Sequence, residues 1–166
     1  MKKTISFFGH RILWNVDIRE RVKTVLESYF YYEICCLIGT HGEFDRLALS
    51  VCRELRKSYS NIKITAVFST LKTLLKDAYL YDDVETMIYE VEQEHFKNQI
   101  TVSNRKMIDD SDLIICYVDT NKYRSGAKRA VEYATKQGKE VINLFREKDR
   151  PFYGMTKEEI ESAWKK

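Results

Sequence analysis

A chain of 166 residues, 44% hydrophobic and 32% charged, is long enough to bury a real core as one domain. The net charge of +3 comes from Lys and Arg interleaved with Asp and Glu, so the sequence shows no basic stripe or tail of the kind nucleic-acid binders carry. No apolar run approaches the roughly 20 residues that span a bilayer, and the opening MKKTISFF soon meets Arg11, Asp17 and Arg19, unlike a signal peptide. We therefore expect a cytoplasmic protein, with neither membrane nor nucleic acid as partner. Cys35, Cys36, Cys52 and Cys116 form no CxxC pair. They read as small buried hydrophobes in a reducing compartment, with no metal site.

The first element is the strand TISFF. Ile18, Val22, Val25, Leu26 and Tyr29 then recur at helical spacing, with Asp17 placed as the cap. EICCLIG is a short continuous apolar run ending in glycine. Phe44, Leu47, Ala48, Val51 and Leu55 make one helix face, and IKITAVFS a third strand. Residues 70–94 mix helical and extended signals and predict an irregular excursion with a short strand near 87–89. A helix over about 99–110 follows, then the fully apolar strand DLIICYV. SGAKRAVEYATKQG is a helix with Ala127, Ala130, Val131 and Ala134 on one side and Gly138 as its stop. EVINLF is the last strand, and the pair Thr156 and Glu159 caps a short helix over about 156–165.

Continuous apolar strands separated by amphipathic helices imply an α/β fold: a Rossmann-like, doubly wound, mostly parallel sheet with helices on both faces, the single domain covering residues 1–166. Such sheets bind ligands beyond the carboxyl ends of their strands. Three loops fall on that edge: Gly9-His10-Arg11, the stretch GTHGEFD (residues 39–45), and DTNKYRSGAK (residues 119–128). Glycines admit a ligand to the backbone, and helix N-termini offer N–H groups to an anion. Together the loops read as a phosphate-accepting rim with His10 and Arg11 as side-chain donors. Each piece has a plainer reading. Gly39 and Gly42 can be turn residues, Asp45 a first-turn carboxylate favoured by the helix dipole, and His10 a satisfied histidine. Arg105 with Asp109, and Lys128 with Glu132, can be pairs on a solvated face. No GxGxxG fingerprint and no Walker A loop is present.

The stretches FFGHR (residues 7–11), IGTHGEFDRLA (38–48), NRKMIDDSDLIICYV (104–118) and SGAKRAVEYATKQGKEVINL (125–144) resemble, in this order, the YpsA-like branch of the SLOG (SMF/DprA-LOG) superfamily, small bacterial and phage proteins with a Rossmann-like fold. The resemblance runs to about residue 146. It implies a nucleotide or nucleotide-derived small molecule as ligand, no required cofactor, and a homodimer, as related proteins often form. It places Gly9, His10, Arg11, Gly39, Thr40, Gly42, Asp45, Arg105, Ser125, Gly126 and Ala127 at the ligand site, to which the position of the third loop adds Asp119. The sequence departs from the pattern in two places. Ser125-Gly126-Ala127 stands where the branch has Gly-Gly-Thr. Ala130 stands where the superfamily's phosphoribohydrolases carry their acid. The nearest acid is Glu132, turned about 200° further round the helix. The expected function is thus a binding protein with a sensing, sequestering or regulatory role. The alternative is an N-glycosidic hydrolase of nucleoside monophosphates using Glu132 or Asp45. The third reading is a ligand-free interaction module using residues 70–94.

Overall fold

The computed structural model describes residues 1–13, 17–91, 93–122, 125–151 and 153–165. Strands and helices alternate: β1 (Lys2–Gly9), α1 (Ile18–Glu27), β2 (Glu33–Ile38), α2 (Glu43–Arg56), β3 (Ile62–Phe68), α3 (Leu71–Asp77), β4 (Glu85–Ile88), α4 (Phe96–Asp109), β5 (Leu113–Tyr117), α5 (Gly126–Lys136), β6 (Glu140–Asn143) and α6 (Lys157–Trp164). The six strands form one sheet in the order β4-β3-β2-β1-β5-β6, and every pairing is parallel.

The period of two along each strand sorts the core into two layers. Ile5 and Phe7 of β1, with Leu113, Ile115 and Tyr117 of β5, join the cluster under α1 and α2. Phe8, Ile114, Cys116 and Val118 join Met107 and Ile108 of α4 and Ala130 and Ala134 of α5 on the other face. β1 lies at the centre, with Ile5 in register with Cys36 on one side and Leu113 on the other. Burying a side chain such as Phe7 on one face or Phe8 on the other is worth about 1.5–3 kcal/mol, so β1 is anchored from both sheet faces. Cys36, Cys52 and Cys116 are buried and all four cysteines are free thiols.

Three sequence expectations change. The stretch over 70–94 is regular as far as residue 88: Thr70 and Thr73 close a capping box on α3, and a 3-10 turn (Ala78–Tyr81) leads into β4 at Glu85–Ile88, close to the short strand expected near 87–89. Reading it as irregular failed because the helix keeps no residue buried, so its apolar positions trace no inward stripe. Asp17 does not cap α1 through its side chain. Its carboxylate instead accepts from Arg21 at 3.3 Å. Neither the Arg105–Asp109 nor the Lys128–Glu132 ion pair forms among the described residues. Asp109 accepts from the Tyr133 hydroxyl at 2.8 Å, and the Arg105 guanidinium lies over the Tyr133 ring. Gly138 follows α5 at φ +71°, and Thr156 with Glu159 caps α6, both as the sequence predicts.

A buried ion pair ties α1 to the chain after β6. Arg21 donates to Asp149 at 2.5 and 2.9 Å, and to the Leu144 carbonyl at 3.0 Å. No helix among the described residues is long and apolar enough to cross a membrane.

Candidate functional site

Chain direction across the sheet reverses between β1 and β5. The connections from β1 through β4 run outward on one side, and those from β5 to β6 run outward on the other. Loops that diverge at such a point leave a crevice at the strand carboxyl ends. A cleft of about 700 Å³ opens there, floored by the ends of β1 and β3 and walled by α4 and α5.

His10 closes the gap between the two central strands. Its backbone N–H donates to the Tyr117 carbonyl at 3.3 Å. Its Nε2 accepts from the Asp119 N–H at 2.8 Å, and its Nδ1 lies 3.4 Å from the Ser125 hydroxyl. An imidazole whose Nε2 accepts an amide proton is neutral, with its own proton on Nδ1. Burial, helped by Lys122 and opposed by Asp119, holds its pKa below the usual histidine value. Ser125 caps α5 by accepting from the Lys128 N–H at 3.2 Å. With Nδ1–H as its second donor, both hydroxyl lone pairs are engaged, and its remaining proton is free to be given to a ligand. The Gly126 and Ala127 N–H groups, in the first turn of α5, have no partner among the described residues.

The loop between β2 and α2 is held from within. Asp45 accepts from the His41 N–H at 2.8 Å, and His41 Nε2 lies 3.1 Å from the Ser69 hydroxyl. Burial raises the Asp45 carboxyl to about 6, against the lowering effect of the His41 N–H and the charges of Arg46 and Arg11. His41 is held below the usual histidine value by burial first and Arg11 second.

Of the residues expected at the site, Gly9, His10, Arg11, Gly39, Asp45, Arg105, Ser125, Gly126, Ala127 and Glu132 line the cleft. Thr40, Gly42 and Asp119 do not. Gly42 has φ +137°, and a Cβ there would sit 2.7 Å from the Arg11 Cα. Its role is to let the β1–α1 loop dock on α2, where the Glu43 N–H donates to the Arg11 carbonyl at 2.9 Å. The Asp119 carboxylate turns away to accept two bonds from Arg150, at 2.9 and 3.2 Å, which lowers its pKa. The space over Gly9 is filled by the Phe44 ring, 2.2 Å from where a Cβ would lie. Tyr123 and Arg124, in the third loop, lie outside the described residues.

Sequence reasoning missed most of the cationic wall. Among the described residues, Arg11, Lys97, Arg105, Lys122, Arg129 and Lys136 line the cleft with only Asp45 and Glu132 as carboxylates. The signal was available as helix-face spacing. Lys97, Thr101, Asn104 and Arg105 repeat along one side of α4, and Arg129, Glu132, Tyr133 and Lys136 along one side of α5.

No protein-family model matches the sequence, and no curated protein matches it by sequence. Solved structures do. The chain superposes on DNA processing protein A (DprA) from Streptococcus pneumoniae with a TM-score of 0.59 and 18% identity, over 84% of this chain and 49% of that one. It superposes on DprA from Helicobacter pylori, a protein described by its single-stranded DNA binding mode, with a TM-score of 0.62 and 15% identity, over 98% of this chain and 72% of that one. The chain therefore spans about half the length of the Streptococcus protein. Fold and cleft define an α/β protein of Rossmann-like class. More particularly, its architecture is similar to that of the two DprA structures.

Proposed function

We propose that this chain is a cytoplasmic SLOG protein of the YpsA-like branch that binds a nucleotide or nucleotide-derived small molecule, in a sensing, sequestering or regulatory role. The observation that carries the reading is the convergence of six cationic side chains, from both wall helices and two loops, on one cleft at the switch point of the sheet. Anionic ligands are drawn to such a field, and a cleft's low-dielectric walls concentrate it. The phosphate would meet the Gly126 and Ala127 N–H groups and the Ser125 hydroxyl at the positive end of α5, with Arg11 and Lys122 beside them. Thr101, Asn104 and Tyr133 supply polar groups and a ring for the rest of the ligand. No cofactor is needed for binding.

The test is thermal stabilisation across a panel of nucleoside mono-, di- and triphosphates, with a single-stranded oligonucleotide included. A stabilising nucleotide should lose at least about tenfold in affinity in Arg11→Ala, because a charge-assisted contact is worth roughly 1.5–3 kcal/mol. Arg11 is exposed, so its removal leaves the fold intact. Binding unchanged in Arg11→Ala and Arg129→Ala together would remove the cleft from the reading.

One observation favours a second reading, hydrolysis of a nucleoside monophosphate at its N-glycosidic bond. Asp45 is a cleft carboxyl with its pKa raised to about 6, suited to give a proton near neutral pH. Against it, the same carboxyl already holds the His41 backbone. Glu132 is exposed on α5.

A further inference from the structure

The cleft holds two serine–histidine contacts, and they differ in kind. At the first, the Asp119 N–H occupies His10 Nε2, so the ring proton sits on Nδ1, the nitrogen beside Ser125. That imidazole can give a proton to the serine but cannot take one. At the second, His41 Nε2 lies 3.1 Å from the Ser69 hydroxyl, and among the described residues no main-chain N–H claims either ring nitrogen. With its proton on Nδ1, His41 presents the Nε2 lone pair to the Ser69 O–H. Burial first, and Arg11 second, keep this ring neutral and able to accept at neutral pH.

Ser69 follows directly on β3, and the next residue, Thr70, caps α3. A serine on a strand-to-helix turn stands at the top of the sheet, where α/β hydrolases expose their nucleophile. Thr70 is not available for that role, because its hydroxyl is engaged with Thr73 at 2.9 and 3.1 Å. Ser69 is 5% exposed, and both it and His41 line the cleft. Asp45 positions the base by accepting from the His41 N–H at 2.8 Å. Arg11 lines the same cleft, close enough for its charge to act on both His41 and Asp45. A cation so placed stabilises an oxyanion. Nucleotide binding makes no use of this pair, yet a hydroxyl bonded to a neutral imidazole is the arrangement of an activated nucleophile. We propose that Ser69 and His41 are a nucleophile and its base, hydrolysing a carboxylic ester whose alcohol part carries a phosphate. The phosphate rests on the anion-binding reading of the cleft, whereas the serine–histidine chemistry does not.

In the first half of the reaction, Ser69 Oγ bonds to the acyl carbon while its proton passes to His41 Nε2. The bond from that carbon to the alcohol oxygen then breaks, and the alcohol leaves with the proton from Nε2. In the second half, water attacks the acyl carbon and gives a proton to Nε2. Ser69 Oγ departs with that proton, and the carboxylic acid is released. The full chain should react with a fluorophosphonate: Oγ bonds to phosphorus, fluoride leaves and Nε2 takes the proton. Peptide mass spectrometry should find one adduct, on Ser69. It should be absent in Ser69→Ala and form about a hundredfold more slowly in His41→Gln. Ser69→Ala removes a single oxygen and carries the test even where His41→Gln fails to fold. An acetoxyphenyl phosphate should be hydrolysed with a kcat/KM about tenfold above that of phenyl acetate, and both activities should vanish in Ser69→Ala. No adduct, an adduct that survives Ser69→Ala, or a rate indifferent to a folded His41→Gln overturns the proposal. A nucleotide that stabilises a chain showing no adduct leaves the anion-binding reading standing without the hydrolase. An adduct on Ser69 with no preference for the phosphate ester overturns the substrate class and counts against the anion-binding reading as well.

Discussion

Asp45→Asn separates what the Asp45 carboxyl does for the fold from what its charge does to the cleft. Folding moves this carboxyl from the ordinary 3.8 to about 6, with burial as the leading cause. An acid with a raised folded pKa stabilises the fold in its protonated form. That contribution is complete below about 4 and is lost as pH rises through about 6. At neutral pH the ionised carboxylate costs at most about 3 kcal/mol, reduced to roughly 1–2 kcal/mol by solvent at the cleft mouth. Asparagine removes the charge and keeps an oxygen to accept from the His41 N–H. The variant should therefore match the wild type near pH 4 and exceed it by roughly 2–8 °C in melting temperature at pH 7.5. The comparison must be made as a difference between the two proteins. His10 and His41 are held neutral in the fold and lose stability in acid, in the opposite sense, in both of them. Scanning calorimetry or thermal fluorescence from pH 4 to pH 8 reads the gap. A gap that is constant with pH, or a wild type that melts higher at pH 7.5, would refute the argument that burial governs Asp45. Anion binding supplies a second readout: with the Asp45 carboxylate of the cleft neutralised, a nucleotide should bind Asp45→Asn more tightly than wild type at pH 7.5.

Gly42→Ala should destabilise the fold by at least about 1–3 kcal/mol in chemical denaturation, through its positive φ and its contact with Arg11. Gly126→Ala, with no atom within 4 Å of the new methyl, should leave stability within about 1 kcal/mol and act only on ligand binding. Asp149→Ala takes the two shortest bonds from the buried Arg21 guanidinium, leaving it the Leu144 carbonyl and the exposed Asp17 carboxylate, and should cost up to about 3–5 kcal/mol, read by denaturant midpoint. Overnight incubation of AMP, GMP, CMP or UMP with micromolar protein should release no free base by chromatography. Release that survives Glu132→Gln but vanishes in Asp45→Asn would make the protein a hydrolase with Asp45 as its acid.

The architecture was legible because its signals are local. A run such as DLIICYV buries every side chain of β5, and only a sheet covered on both faces does that. The helices under the core announce themselves by one apolar stripe each. Helix α3 does not, because it sits at the sheet edge by β4 with no buried residue, so Leu71 and Leu75 face outward at the same spacing as Lys72 and Lys76. Asp17 misled for a different reason. Its position favours capping, but Arg21 one turn on competes for the carboxylate and holds it. Propensity records the average outcome of that competition, not which partner stands within reach.

The site was half legible for a reason of the same kind. Three loops at strand ends can be read from the chain, because strand ends can. A wall built from the polar sides of α4 and α5 cannot, since a polar helix side looks identical whether it meets bulk water or another helix across a cleft. What the loops do also depends on contacts made at long range. In Gly-His-Arg, the glycine makes room for the Phe44 ring. The histidine, neutral, links the end of β1 to the Asp119 N–H and the Ser125 hydroxyl beyond β5. Only the arginine is left to face solvent. A cationic histidine would break its bond from the Asp119 N–H, since Nε2 cannot accept once protonated. The tripeptide thus divides its labour. Its first two residues fix the geometry of the crevice, and the charge offered to an anion comes from Arg11 and from cations that the sequence scatters and the fold collects.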